Sequence, residues 1–205
     1  MIEIRPFQAG DLSALYAIAL ATGASGQDAS HLYQDPRRVG HIYAAPYALL
    51  SPECAFVAED EAGVAGYIVG ALDTRAFEAR LEQEWWPTLR PDHPDPSPKP
   101  PAEWTADELR CWQIHHPYLT PASLAGPYPS HLHINLLPRL QGQGIGERLM
   151  TLWLDTIRRL GSRGAHLGVG VANSRALRFY RAYGWIEPVL ERPPPRTAVW
   201  MAMPL

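Results

Sequence analysis

The pattern of hydrophobic and polar positions in the first fifty residues predicts one strand and two helical segments. Residues 2–7 alternate as a strand does, and the apolar run L-S-A-L-Y-A-I-A-L-A after Gly10 predicts a helix with Asp11 as its N-cap. The small, polar segment G-A-S-G-Q-D-A-S, which begins at Gly23, is expected to be a loop that could border a ligand. A second helical piece is expected around residues 31–43.

The middle of the chain predicts a hairpin followed by an irregular insertion. Apolar, partly β-branched runs at residues 54–59 and 64–72 flank the turn-like D-E-A-G, which favours an antiparallel hairpin. Residues 77–86 have a helical pattern, whereas the proline-rich stretch that follows favours helix only at residues 106–114. The aromatic residues there argue against disorder, so residues 73–130 are interpreted as an insertion rich in Pro and Trp.

The second half of the chain predicts the order β-α-β-α-β. Strands are expected at residues 131–137, 165–171 and 184–190, and a tail strand at residues 197–203 would close the sheet. Helices are expected at residues 146–160, where leucines and a tryptophan recur at helical spacing, and at residues 174–183. With the hairpin before it, this order implies a mixed sheet covered by helices, and residues 1–205 fit one domain.

Composition and charge exclude several classes of protein. The formal net charge is −3 and the basic residues are scattered, so there is no basic stripe for nucleic acid. No apolar run approaches the roughly 20 residues that cross a bilayer, and a secretory signal is lacking, so a cytoplasmic location without membrane is expected.

Cys54 and Cys111 are far apart and are expected to be buried or incidental thiols. His115 and His116 are adjacent in the sequence, so their side chains point in different directions. No metal site is therefore expected.

The glycines of residues 141–146, which read Q-G-Q-G-I-G, lie between a predicted strand and a predicted helix. The first helical turn has N–H groups without intrahelical partners, and the helix dipole adds positive potential, so phosphate is the natural ligand. A tight connection without a ligand explains the glycines equally well. The alternating G-x-G-x-G differs from the dinucleotide motif G-x-G-x-x-G, and Glu147 and Arg148 stand where a P-loop needs K-S or K-T.

Two longer stretches resemble a known superfamily. The sequence L-P-R-L-Q-G-Q-G-I-G-E-R-L-M resembles the acetyl-coenzyme A signature Q/R-x-x-G-x-G/A of the GNAT N-acetyltransferases, with Gln141, Gly144 and Gly146 in its defined places. About thirty residues downstream, N-S-R-A-L-R-F-Y-R-A-Y-G-W is similar to the second signature of that superfamily. The residues that match the second signature are Asn173, Ala176, Phe179, Tyr180, Gly184 and Trp185.

A closer resemblance extends to other segments. Y-A-A-P-Y, G-Y-I-V-G-A-L-D-T, E-W-W-P and H-L-H-I-N-L-L-P are similar to bacterial relatives of the acetyltransferase-like domain that is attached to O-GlcNAc hydrolases. In such relatives Asp often stands at the position of Asn135, so no acid-base role carries over to that residue.

The resemblance implies an α/β (α+β) fold with a mixed, mostly antiparallel central sheet flanked by helices. Residues 134–137 would splay from residues 168–171 and open a V-shaped cleft, in which the pantetheine of acetyl-coenzyme A adds like a strand. A backbone N–H near Leu136 would face the acetyl oxygen. The cofactor-binding residues that the resemblance implies are Leu136, Leu137, Gln141, Gly142, Gln143, Gly144, Ile145, Gly146, Asn173 and Tyr180.

Transfer of an acetyl group to an amine needs a neutral amine, a polarised carbonyl and a proton donor for the thiolate. The resemblance makes Tyr180 the general acid or sulfur-orienting group. Packing in the core is the alternative, although Phe179 beside it is the better candidate for that. By the strand period of two, His133 shares a face with His131 and Asn135 and is the candidate general base. A hydrogen-bonded structural histidine is an equally good account, and Asp73 and Glu59 are further candidate bases.

The predicted function is an acetyl-coenzyme A-dependent N-acetyltransferase acting on a primary amine of a small molecule or protein. One alternative is a non-catalytic module that binds or senses acyl-coenzyme A. Another is a structural partner, because the aromatic residues of the insertion could wall a substrate pocket, form a contact such as a homodimer, or simply pack. These residues are Trp85, Trp86, Trp104, Trp112 and Tyr118.

Overall fold

A six-stranded sheet with its strands in chain order organises the computed structural model, which describes residues 1–190 and 197–205. All neighbouring strands are antiparallel except β4 and β5, which are parallel. The predicted mixed, mostly antiparallel sheet is therefore confirmed. The strands are β1 (Glu3–Pro6), β2 (Ala55–Asp60), β3 (Gly63–Ala71), β4 (Ser130–Leu136), β5 (Gly164–Gly170) and β6 (Ala198–Pro204).

The helices fall into three groups along the chain. Before the hairpin lie α1 (Leu12–Ala21), α2 (Arg38–Tyr43) and α3 (Ala45–Leu50). Between β3 and β4 lie α4 (Thr74–Arg80), α5 (Trp86–Leu89), α6 (Ala106–His115) and α7 (Ala122–Ala125), with one π-helical segment (Leu81–Trp85) between α4 and α5. After β4 come α8 (Ile145–Arg159) and α9 (Ser174–Tyr183).

The two faces of the sheet carry two separate hydrophobic cores. Because successive side chains of a strand point to opposite faces, Phe56 and Ile68 pack towards α8 and α9, whereas Val57 and Tyr67 pack towards the helices that precede β4. On the first side, the fully buried Trp153 of α8 donates its indole N–H to the carbonyl of Cys54 at 3.1 Å. Helices therefore cover both faces of the sheet, as predicted.

Three local predictions need correction. Residues 184–190 form no strand: only Ile186 bridges to Ala202, because β6 already occupies the edge of β5. The helix expected around residues 31–43 begins only at Arg38, since the residue before Pro36 is disfavoured in helical conformation. Asp11 does not cap α1. Its carboxylate accepts the N–H of Gln8 at 2.8 Å and pairs with Arg5, so it stabilises the preceding 3-10 turn.

The thiols of Cys54 and Cys111 are both buried and free, in agreement with prediction.

Across residues 1–190 and 197–205, no helix combines the length and the apolar character that crossing a bilayer requires.

The buried face of α8 allows a direct test of the core. Leu149 is fully buried there, whereas Leu160 at the end of the helix is 47% exposed. We expect Leu149→Ala to lower the free energy of unfolding by about 2–5 kcal/mol, because it leaves a cavity. The control Leu160→Ala should change it by no more than about 0.5 kcal/mol. Urea unfolding followed by circular dichroism measures both, and equal losses would contradict this packing of α8.

Candidate active site

A gap opens between the two parallel strands at the centre of the sheet. β4 and β5 pair only at Ser130 with Ala165 and at His131 with His166. Beyond these residues β4 remains paired with β3 and β5 remains paired with β6, but the two strands are not paired with each other. The predicted splayed pair is therefore present, with its open end where β4 reaches Leu136.

The direction of the main-chain groups on β4 follows from the ladder that it forms with β3. The N–H of Leu137 donates to the carbonyl of Ala65 at 2.8 Å. In an antiparallel pair the bonded residues alternate with residues whose N–H and C=O point away. The main-chain groups of Ile134 and Leu136 therefore point towards the gap. Those of Leu137 are used within the fold, since its carbonyl accepts the N–H of Leu140 at 3.0 Å.

The glycine turn lies at this open end and leads directly into α8. Gly142 and Gly144 both have a φ of 75°, which is the left-handed region that favours glycine. Because Gly144 is the N-cap residue, no side chain caps the first turn of α8, and the N–H groups that begin with Ile145 lack intrahelical partners. A Cβ added at Gly142 or Gly144 would meet no atom of residues 1–190 or 197–205 within 4 Å, so these residues leave the space in front of the turn open.

The two glutamines of the turn hold its shape. Gln141 donates its side-chain N–H to the carbonyl of Leu136 at 2.7 Å and accepts a hydrogen bond from the guanidinium of Arg175. Gln143 donates to the carbonyl of Arg139 at 2.6 Å. The glutamine side chains are thus occupied by the fold. They leave the main-chain N–H groups free to face a ligand, and they bring the cation of Arg175 beside the turn.

The loop after α1 spans the open end of the gap. At one end, Thr22 accepts a hydrogen bond from the side-chain amide of Asn135 on β4. At the other end, Gly26 lies against Asn173, which caps α9 by accepting the N–H of Ala176 at 3.1 Å. This loop, which the sequence marks as one that could border a ligand, therefore joins the two sides of the gap.

Tyr180 on α9 is 7% exposed, and its ring packs edge-on against Trp185. Phe179 is only half-buried, so the expectation that Phe179 is the core residue of this pair is wrong. Burial raises the pKa of Tyr180 above its ordinary value, so the phenol is protonated at neutral pH and can act as a donor.

His133 belongs to a hydrogen-bond network on the face of the sheet opposite to the one that packs against Tyr180. Nε2 of His133 lies 3.2 Å from the hydroxyl of Tyr47 on α3, and Nε2 of His131 lies 3.0 Å from the same hydroxyl. Nδ1 of His131 lies 2.8 Å from the hydroxyl of Thr74, which itself donates to the carbonyl of Pro129 at 2.7 Å.

The last acceptor in this network fixes the direction of every bond. The carbonyl oxygen of Pro129 can only accept a hydrogen bond, so the hydroxyl of Thr74 donates its single proton to that oxygen. The oxygen of Thr74 then accepts a hydrogen bond from Nδ1–H of His131. Nε2 of His131 then carries a lone pair and accepts from Tyr47, whose oxygen accepts from Nε2–H of His133. We therefore assign the Nε2–H tautomer to His133, which leaves its Nδ1 as an acceptor.

Burial dominates the titration of the two network histidines. It lowers the pKa of His133 to about 4, with a smaller contribution from nearby His166, and it lowers the pKa of His131 well below its ordinary value. Both imidazoles are consequently neutral at physiological pH. His133 can accept a hydrogen bond from an amine, but full protonation of its ring is disfavoured.

The other candidate bases have structural partners. Asp73 caps α4 by accepting the N–H of Ala76 at 2.9 Å, and Glu59 pairs with Arg5 at 2.8 Å. In the insertion, Trp86 is buried in the second core and Trp85 donates to the carbonyl of His41, so these two residues pack rather than line the gap.

Three residues at the site escaped sequence reasoning. Tyr47 lies 86 positions from His133, Thr22 lies 113 positions from Asn135, and Arg175 lies 34 positions from Gln141. Contacts over such separations leave no local pattern. The segment Y-A-A-P-Y, which ends at Tyr47, was the one available signal, since it carries part of the closer resemblance.

Comparison with known proteins agrees with this geometry. The profile of the acetyltransferase (GNAT) family matches residues 24–185. The crystal structure of SsHAT has 34% sequence identity and a TM-score of 0.89, over 99% of this chain and 98% of that one. The yncA protein of Salmonella typhimurium, solved with its cofactor acetyl-CoA, shares the fold at 17% identity and a TM-score of 0.54, over 99% of this chain and 93% of that one.

Curated relatives include Protein O-GlcNAcase of Rattus norvegicus and of Mus musculus. Each is 25% identical over 185 residues, which make up 90% of this chain and 20% of the relative. The chain thus spans about a fifth of the length of the curated relatives that it matches. This similarity confirms the predicted relationship to the acetyltransferase-like region of O-GlcNAc hydrolases.

The mixed sheet with a splayed strand pair and a glycine turn at its open end is the fold of the solved neighbours with which this chain compares. The chain belongs to the acetyltransferase (GNAT) family. The family is one of acetyltransferases.

The lowered pKa values of the partly buried His131 and His133 predict acid sensitivity. A buried neutral histidine binds fewer protons in the folded protein than in the unfolded one between its folded pKa and its ordinary value. We therefore expect the free energy of unfolding to fall as the pH falls from about 6.5 to about 4. His133→Gln, which cannot titrate, should lose less stability over this interval than the wild type.

Urea unfolding at a series of pH values measures this dependence. His31→Gln, at an exposed histidine of the loop before α2, is the matched control and should follow the wild type. A His133→Gln curve parallel to the wild-type curve would contradict the burial of His133.

Proposed function

We propose that the chain transfers the acetyl group of acetyl-coenzyme A to a primary amine of a small molecule or a protein. The observation that carries this proposal is the open gap between β4 and β5, with outward main-chain donors on one side and the uncapped start of α8 at its end. Bound in this gap, acetyl-coenzyme A supplies the activated acetyl thioester.

The residues around the gap divide into a cofactor side and an acceptor side. On the cofactor side, the N–H groups of residues 142–146 would hold the pyrophosphate of bound coenzyme A, with Gln141 fixing the turn. The N–H of Leu136 would donate to the acetyl oxygen and stabilise the negative charge that develops on it. Asn173 positions the start of α9. Leu137 contributes its side chain, because its main-chain groups are engaged elsewhere.

Tyr180 and His133 handle protons. The protonated phenol of Tyr180 would donate a proton to the departing thiolate, and because phenolate has the higher proton affinity, it would be reprotonated by the proton that the attacking amine releases. His133 accepts a hydrogen bond from the amine through Nδ1, while Tyr47 holds its other nitrogen at 3.2 Å. Because the buried imidazole is a weak base, the amine has to enter the site in its neutral form.

The role of the glycine turn is tested by placing a carboxylate in it. Gly144→Glu puts a negative charge where we expect the pyrophosphate to bind, and repulsion of only 1.4 kcal/mol weakens binding about tenfold. We therefore expect a loss of affinity for coenzyme A of about tenfold or more, measured by isothermal titration calorimetry.

Gly161 provides a matched control at the opposite end of α8. It also has a positive φ, at 90°, and an added Cβ would meet no atom within 4 Å. Gly161→Glu therefore introduces similar backbone strain and the same charge about one helix length away. Equal losses of affinity in the two variants would count against a pyrophosphate site at Gly144.

The role of Tyr180 is tested by removing its hydroxyl. If Tyr180 donates a proton to the leaving thiolate, Tyr180→Phe should lower kcat by about a hundredfold or more and change the affinity for acetyl-coenzyme A little. Tyr183→Phe on the same helix is the control, because Tyr183 bonds Thr151 instead. Equal losses of kcat and affinity in Tyr180→Phe would make Tyr180 a binding residue.

A second candidate is a module that binds acyl-coenzyme A without transferring the acyl group. The low basicity of His133 and the amide at Asn135, which is bonded to Thr22, favour this alternative. A thiol-release assay with acetyl-coenzyme A and a library of primary amines separates the two functions. Binding of the cofactor without turnover on any amine would favour the sensing module.

A further inference from the structure

A cluster of three metal-ligating side chains lies apart from the cleft, between α2 and the insertion. Asp35 precedes α2, His41 lies within it, and His93 follows the turn after α5. One carboxylate oxygen of Asp35 and one ring nitrogen of each histidine all lie within 4.8 Å of one another. Asp35 and His41 lie six residues apart in one segment, and the fold brings His93 of the insertion beside them.

The two histidines are buried without enough partners. Each is 5% exposed. Among the described residues, nothing hydrogen-bonds Nε2 of His41 or either ring nitrogen of His93. Buried polar atoms in folded proteins are nearly always satisfied, so three unpartnered nitrogens in one cluster indicate a ligand-binding site. The two rings stand edge to face with their centroids 5.4 Å apart.

The second nitrogen of His41 is arranged as in metal-bound histidines. Nδ1 of His41 lies 2.9 Å from the hydroxyl of Tyr16 on α1. A histidine that ligates a metal through one nitrogen commonly donates the other N–H to a fixed partner. With Nδ1–H donating to Tyr16, Nε2 of His41 presents its lone pair to the cluster.

The charges around the cluster allow a divalent cation. Nε of Arg38 lies 3.2 Å from Asp107 and 3.6 Å from Asp35, and Nε of Arg37 lies 3.7 Å from Asp35, so Arg38 has a second carboxylate partner outside the cluster whereas Arg37 is 64% exposed to solvent. Asp35 then supplies the one anionic ligand. Because Nη1 of Arg38 is buried and unpartnered too, a small anion is the rival ligand, and the test has to separate the two.

We propose that Asp35, His41 and His93 form a binding site for one divalent transition-metal ion of the zinc class. Two imidazoles and a carboxylate suit Zn²⁺, whereas Mg²⁺ and Ca²⁺ prefer all-oxygen sites. The ion would fasten the insertion to α2. It would thereby support Tyr43 at the end of α2, whose ring centroid lies 5.3 Å from that of His133. The role is structural and does not depend on acetyl transfer.

Metal uptake by the full chain tests the site directly. After treatment with EDTA and gel filtration, the protein is titrated with ZnCl₂ against a chromophoric chelator, and bound metal is counted by mass spectrometry. We expect one zinc ion per chain and a rise in Tm of several degrees. His41→Ala and His93→Ala should each lose at least tenfold in affinity, and Tyr16→Phe about tenfold. His31→Ala, at an exposed histidine, should bind as the wild type does.

Several outcomes would overturn the proposal. Failure of the wild-type chain to take up zinc would do so even if the variants fold poorly. Undiminished uptake by a folded His41→Ala/His93→Ala double variant would show that the zinc lies elsewhere. A rise in Tm with inorganic phosphate and none with ZnCl₂ would assign the cluster to an anion. Circular dichroism checks that each variant is folded.

Discussion

The divergence of β4 from β5 is the constraint on which the functional part of the molecule depends. β4 runs in register with β3 from His131 to Leu136, and β5 runs in register with β6 along its whole length, but only two residue pairs join β4 to β5. Each strand follows its antiparallel partner, and the twist of each unit carries the two strands apart. A sheet that closed at this point would use the donors of Ile134 and Leu136 internally.

The same divergence explains where the helices begin. α8 starts at the open end of the gap because the chain leaves β4 at Leu136 and turns through two left-handed glycines. α9 starts on the far side of the gap, and the bond between Arg175 and Gln141 links the two helix starts. Two helix N-termini therefore converge on one opening, which concentrates positive potential where an anionic group of a cofactor would lie.

Sequence reasoning succeeded where the determinants are local. The bounds of α9 were predicted correctly because Asn173 caps its start and Gly184, with a φ of 108°, ends it. The hairpin and α8 were also recognisable from periodicity alone. The strand expected at residues 184–190 was wrong because periodicity does not reveal that β6 takes the neighbouring edge. The cluster of Asp35, His41 and His93 was not predicted either, because the spacing of these residues in the sequence matches no known metal-binding motif.

The acceptor side of β4 shows how burial shapes the chemistry. His131 and His133 are held by Tyr47 and Thr74 in a directed chain of hydrogen bonds that ends at a carbonyl, so neither ring is free to turn. A buried imidazole is a poor base towards a free amine. In the proposed reaction, however, the nitrogen of the attacking amine gains positive charge and becomes far more acidic. Nδ1 of His133 would therefore need little basicity to accept its proton, provided that the amine arrives neutral, and the fixed ring would require no reorganisation as the proton moves.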